Sequence, residues 1–188
     1  EPDIPPLALT ELAEEIRASL PELPRARRAR FTDEFSLKPD DARQICDDPI
    51  LADFVEHTFS ELQAWIETQP EYQSGNEASH VKERERLARL VSGWTLSKLM
   101  GIMIDQRIDI RIIKITPENF AEFIGLIATR KINATNGLKL LQAMLETGDD
   151  PTHLLEEKQL GQMDDEGRLA DIVMNVIQSY PAEVARYR

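Results

Sequence analysis

Residues 133–181 read NATNGLKLLQAMLETGDDPTHLLEEKQLGQMDDEGRLADIVMNVIQSYP, and the punctuation of this stretch decides the fold class. Asn133 is suited to cap a helix, because its side-chain oxygen accepts a bond from a backbone N–H that the first turn leaves free. Gly148 stands where a helix needs a residue tolerant of positive φ in order to stop. Asp150-Pro151 restarts a helix, with a capping side chain followed by proline at the first helical position. Asp164 caps a third helix and Pro181 closes it. The stretch is therefore three short helices, and nothing in it is catalytic by its chemistry.

The same signals extend upstream. Thr116-Pro117 caps and starts a helix that carries Phe120, Phe123, Ile124 and Ile127 inward and ends in Arg130-Lys131. Before it, residues 107–115 (RIDIRIIKI) alternate in places and are rich in isoleucine, which alone suggests a strand. No second strand exists for it to pair with, so an extended connector is expected. Residues 79–105 form a long helix, with Ser79 as its cap. Leu87, Leu90, Val91, Trp94, Leu99 and Ile102 repeat at helical spacing, and Leu96, Met100 and Ile104 broaden the apolar surface, so this helix should be central. Residues 69–79 read as a loop. Asp48 caps a helix running to about Thr68, with Leu51, Phe54, Val55, Leu62, Trp65 and Ile66 as its apolar stripe. Lys38-Pro39 opens a short helix, Pro24 opens another, and Thr10 starts the first, with Leu12, Ile16 and Leu20 on one side. Prolines at 2, 5 and 6 keep residues 1–7 extended.

The expected fold is all-α, built as two consecutive small helical domains. Residues 1–8 are an extended lead-in, 9–106 a helical domain, 107–115 a linker and 116–188 a second helical domain. The longest apolar run, residues 87–104, contains Arg89 and Lys98 and fits an amphipathic helix better than a membrane span. The start shows no secretory signal. A soluble intracellular protein is the expectation.

Composition limits the function. Of 188 residues, 41% are hydrophobic and 30% charged, as in a globular chain. The single cysteine, Cys46, excludes an internal disulfide framework. A net charge of −12 argues against a generic nucleic-acid binder. The charge is uneven, however. Residues 1–70 carry 16 acids against 7 bases, whereas residues 82–131 carry 10 bases against 6 acids. Any phosphate contact should favour the middle of the chain. Arg25, Arg27, Arg28 and Arg30 sit among many acids and are expected to pair locally. His57, His80 and His153 are too dispersed for a metal site, and His57 has no second ligand at metal spacing. Asp149-Asp150 and Glu156-Glu157 suit a helix start better than magnesium. No glycine-rich phosphate loop, GxSxG or paired nucleophile and base is present. Trp94 belongs to the core rather than to a stacking platform.

The segments LETGDDP, LLEEK and DDEGRLADIV resemble the C-terminal, YqeY-like part of the B subunit of the aspartyl/glutamyl-tRNA amidotransferase. EPDIPPL at residues 1–7, LPELPRARRARF and Asp41-Ala42-Arg43 add to the likeness, which covers nearly the whole chain. The resemblance implies a helical region plus a YqeY-like tail, cut from a longer protein at both ends, that holds the tRNA body. The full assembly would convert Glu-tRNA(Gln) and Asp-tRNA(Asn) to the amides using glutamine and ATP. ATP and magnesium would belong to a catalytic domain absent from this chain, so no cofactor and no catalytic residue is expected here. The implied partners are tRNA(Gln) or tRNA(Asn) and the A and C subunits, with no membrane. The implied location is the bacterial cytoplasm, or the mitochondrial matrix if organellar.

Three departures stand out. The family has Ser-Gly-Lys where this chain has Asn133-Ala134-Thr135, so a lysine able to meet phosphate is lost. It has glycine after Glu-Glu-Lys where this chain has Gln159, with Gly161 two positions later. Its tail also continues past Tyr187-Arg188 into a basic, apolar helix. The candidate tRNA contacts are Arg130, Lys131, Asn133, Asn136 and Lys139. The three cations are chosen on electrostatics, because they flank a helix start whose free N–H groups favour anions, and the two asparagines would add hydrogen bonds. The competing function is a purely structural helical module that docks a protein without binding RNA.

Overall fold

A computed structural model describes residues 10–68 and 75–161, together with 174 and 177. The described residues form eight helices and no strand. They are α1 (Thr10–Ser19), α2 (Pro24–Phe35), α3 (Pro39–Cys46), α4 (Pro49–Glu67), α5 (Glu77–Gln106), α6 (Pro117–Ala128), α7 (Ala134–Thr147) and α8 (Pro151–Glu157). The all-α expectation holds. The extended lead-in at residues 1–7, residues 69–74 of the loop expected at 69–79 and, apart from Met174 and Ile177, the helix expected from Asp164 to Pro181 lie outside the described residues. The chain divides into two compact units, Glu1–Arg111 and Ile112–Arg188.

Local chemistry accounts for most helix starts. Asp48 accepts from the backbone N–H of Ile50 and Leu51, Thr116 from Asn119, Asn133 from Asn136 and Asp150 from His153. Each removes a donor that the first turn would leave bare. Proline opens α2, α3, α4, α6 and α8, where its missing N–H costs nothing. One expected cap is corrected. Asn76, not Ser79, caps α5, accepting from the Ser79 N–H, while the Ser79 hydroxyl donates to the Asn76 carbonyl.

In the first unit the core is Phe31, Ile45, Val55, Leu62, Val91 and Leu99, all 1% exposed or less. Trp94 joins them, as expected, and His57 faces solvent. Ile16 and Leu20 are about half exposed and do not extend this core. The long helix α5 is regular from Glu77 to Gly93, widens to a π-helix over Trp94–Leu99, and returns to α from Met100 to Gln106. Counting 3.6 residues on from the buried Trp94, the next inward position would be Lys98, and burying an ammonium group is costly. Across the wider turn Lys98 is exposed and Leu99, five residues from Trp94 and four from the fully buried Thr95, is 0% exposed. Ile102 and Met103 follow inward, and Ile104, expected on the apolar surface, ends 71% exposed. Glu77–Gln106 is long and apolar enough to cross a membrane, but half of its most apolar window is buried inside the molecule, as in a core helix.

The connector is corrected as well. It is not fully extended, since Ile110–Ile112 make one 3-10 turn. In the second unit α6 is nearly all apolar and packs against both α7 and α8, which also pack on each other. Phe120, Phe123, Ile124, Leu140, Leu141 and Met144 are fully buried, and Leu154 is 1% exposed. Ile127 is only half-buried.

Candidate nucleic-acid interface

Phosphate recognition needs cations not already spent on carboxylates. Three of the four arginines of α2, Arg27, Arg28 and Arg30, fail that requirement. Arg30 holds Glu22 and Glu56 at 2.7 Å and Glu34 at 3.4 Å, Arg27 holds Asp53 and Glu56, and Arg28 holds Asp47 at 2.8 Å. Arg27 and Arg30 also lie over the ring of the buried Phe31, at 5.4 and 5.5 Å from its centroid. Hydrogen bonds from Arg30 hold the carboxyls of Glu22 and Glu56 below their ordinary range. The cluster is a clasp between α2, α3 and α4, so local pairing holds for Arg27, Arg28 and Arg30; Arg25, expected to pair as well, is exposed and has no ion pair among the described residues. On α5, Arg84 pairs with Glu77 and Arg86 with Glu83.

The α6–α7 corner is different. Arg130 and Lys131 occupy the turn between the two helices, and Lys139 lies one turn and a half into α7. All three are exposed, and none has an ion pair among the described residues. Arg130 adopts φ = +58°. Its N–H bonds the Ile127 carbonyl at 3.1 Å, and the Lys131 N–H bonds that of Leu126 at 3.0 Å. This is the left-handed closure that usually employs glycine. An arginine there costs roughly 1 kcal/mol.

The two asparagines play other parts. Asn133 spends its side-chain oxygen on the Asn136 N–H at 2.9 Å. The Asn136 side chain, half-buried, donates its Nδ2 to the Leu160 carbonyl at 2.9 Å. It ties the start of α7 to the segment after α8, which sequence reasoning could not find because Leu160 is remote in the chain. Gln159 sits at φ = +51°, a left-handed conformation that glycine adopts without the Cβ penalty.

The other end of the second unit is acidic. Glu118, Glu146, Asp149 and Asp150 are exposed there. The Thr152 hydroxyl donates to Glu122, whose carboxyl is pushed up by burial and then by Asp150 and Glu118. Among the described residues no group of three or more His, Cys, Asp or Glu could hold a metal ion. The first unit carries a cleft of about 270 Å³ lined by Phe35, Phe59, Leu62, Ile66 and Leu87 together with Glu34 and Arg84.

Comparison with known proteins gives the same family as the sequence resemblance. Over the whole chain it is 34% identical to the B subunit of the aspartyl/glutamyl-tRNA(Asn/Gln) amidotransferase of Thermomicrobium roseum. It is 32% identical to those of Persephonella marina and Geobacillus thermodenitrificans. The chain spans about a third of the length of these curated relatives, 35% in each case. Residues 76–188, which include α5 and the whole second unit, match the family described as the GatB domain, and the chain belongs to that GatB/YqeY family.

Proposed function

We propose that this chain is a non-catalytic tRNA-binding and positioning region of a tRNA-dependent amidotransferase. The whole assembly would convert Glu-tRNA(Gln) or Asp-tRNA(Asn) to the corresponding amide with glutamine and ATP, in company with A and C subunits. The observation that carries the reading is the exposed trio Arg130, Lys131 and Lys139 beside the start of α7, in a chain of this family. Structured RNA is recognised largely by shape and phosphate contact. The free N–H groups of the first turn of α7 favour the same anions. ATP and magnesium would act in the part of the assembly outside this chain, and the expected setting is the cytoplasm or the mitochondrial matrix.

A second reading is a helical module that docks a protein without binding RNA. The apolar cleft of the first unit and the net charge of −12 favour it. Salt separates the two, because phosphate contacts release counterions and weaken steeply as salt rises, whereas apolar docking does not. Binding of the 188-residue chain to tRNA(Gln) and tRNA(Asn) across a salt series is the test. Salt-sensitive binding supports the first reading. No binding at low salt removes it.

A further inference from the structure

The chain reversals of the second unit bring a fourth cation to the same end. Helices α6, α7 and α8 follow one another through short turns and pack together. The end of α6 and the start of α7 share the Arg130–Lys131 turn. The end of α8 is fastened beside them by the bond from Asn136 Nδ2 to the Leu160 carbonyl. Lys158 precedes Leu160 by two residues, which is at most about 7 Å of chain. Lys139 lies three residues beyond Asn136, on the neighbouring position of the same helix side. Lys139 and Lys158 therefore flank one hydrogen bond from two different elements. Both are exposed, and neither has an ion pair among the described residues.

The two turns are also built alike. The Lys131 N–H bonds the Leu126 carbonyl and the Leu160 N–H bonds that of Leu155, each at 3.0 Å. Arg130 and Gln159 both take left-handed φ inside those closures. Glycine would satisfy either turn more easily, yet one position holds an arginine. A strained backbone that carries a charged side chain to the surface is what a binding role would retain. The acids are divided between the ends. Glu156 and Glu157 lie on the last turn of α8, while Glu118, Glu122, Glu146, Asp149 and Asp150 occupy the far end. Against them the far end has Lys114, whose ammonium is engaged by the Glu146 carbonyl.

We infer that Lys158 joins Arg130, Lys131 and Lys139 in one phosphate-binding surface across the α6–α7 turn and the end of α8, and that the second unit meets structured RNA with this end. The acidic end faces away from the RNA backbone, so the charge separation sets the direction of approach as well as the contact. This inference rests on the tRNA reading proposed above, and it names a residue and an orientation that the reading does not require.

The test measures binding of the full 188-residue chain to transcribed tRNA(Gln) over a salt series, with a melting temperature for each variant. Lys158→Gln should weaken binding severalfold and flatten the log–log salt slope by about one. Arg130→Gly should raise the melting temperature while weakening binding, a pairing that a merely structural role would not produce. Lys98→Gln, exposed in the first unit, should bind as the parent does. If Lys158→Gln binds like the parent while Arg130 and Lys131 variants lose affinity, the inference fails and the tRNA reading stands. A Lys158→Gln variant that only melts earlier would mean that Lys158 merely complements the α8 dipole, which also overturns the inference. If the parent chain binds no tRNA, both fail together.

Discussion

A single backbone angle separates stability from use at two positions. Arg130 and Gln159 hold φ of +58° and +51°, which glycine would adopt without the Cβ penalty. Replacing Gln159 by glycine should stabilise the second unit by about 0.5–1 kcal/mol, read from the denaturant midpoint, and Arg130→Gly should do the same. Gly148 gives the reverse case. Its φ is +82°, and an added Cβ would lie 2.9 Å from Lys114 Cβ. Gly148→Ala should therefore cost about 1–2 kcal/mol in the same assay. Much at this scale is legible in the sequence. Asp48, Thr116, Asn133, Asp150 and Gly148 act as their residue types imply, because a cap depends on chemistry within three or four residues. Asn76 escapes such a reading because Ser79, three residues on, is an equally good capping type, and the two bond each other. Left-handed Arg130 is invisible in sequence, since nothing in the residue itself announces positive φ. The same holds for Gln159. Asn136 looks free to meet RNA until α8 folds back, because only then does its bond to Leu160 arise.

The π turn of α5 shows where a periodic reading fails at the scale of an element. Leu87, Val91, Trp94 and Leu99 all lie inward as their spacing suggests, but no single helical period joins them. The cue is Lys98, which an unbroken step of 3.6 residues from Trp94 would turn inward. Deleting Lys98 should let α5 run as an unbroken α-helix with the same residues buried. We expect the emission of Trp65 and Trp94 to be kept and the stability to change by less than about 1.5 kcal/mol, the scale of a tolerated repacking. Loss of the cooperative transition would show that the π turn is needed for some other reason. Leu99→Ala, by contrast, removes a fully buried side chain and should cost about 2–5 kcal/mol. Inside that same turn Thr95 Oγ1 is buried without a hydrogen-bond partner among the described residues. Thr95→Val should accordingly be neutral or stabilising, because it removes a desolvated hydroxyl at nearly constant shape.

Across the whole molecule, charge divides the labour. The first unit locks Arg27, Arg28 and Arg30 against carboxylates, and the second leaves Arg130, Lys131 and Lys139 open at one end. Acid should therefore act on the two units with opposite sign. Glu22 and Glu56 have folded pKa values below their unfolded ones, through hydrogen bonds from Arg30. Their contribution is present above the usual glutamate range and is lost as pH falls through their folded values. Glu122 is raised, first by burial and then by its acidic neighbours. It opposes folding at neutral pH and stops doing so as pH falls toward its unfolded value. Both tryptophans lie in the first unit, so their emission should report early acid unfolding there, while amide protection in α6 and α7, taken relative to the intrinsic exchange rate at each pH, should rise on mild acidification. At this scale the sequence can locate a basic stretch but not a surface. Lys158 lies outside that stretch and joins its cations only through the reversal of α8. The measurement that bears most directly on the central claim is binding of the 188-residue chain to tRNA(Gln) as salt rises from about 50 to 200 mM. The account predicts binding at low salt that falls steeply over that range and weakens further when Arg130 and Lys131 are both changed to glutamine. Binding indifferent to salt and to those two residues, or no binding at all, would contradict it.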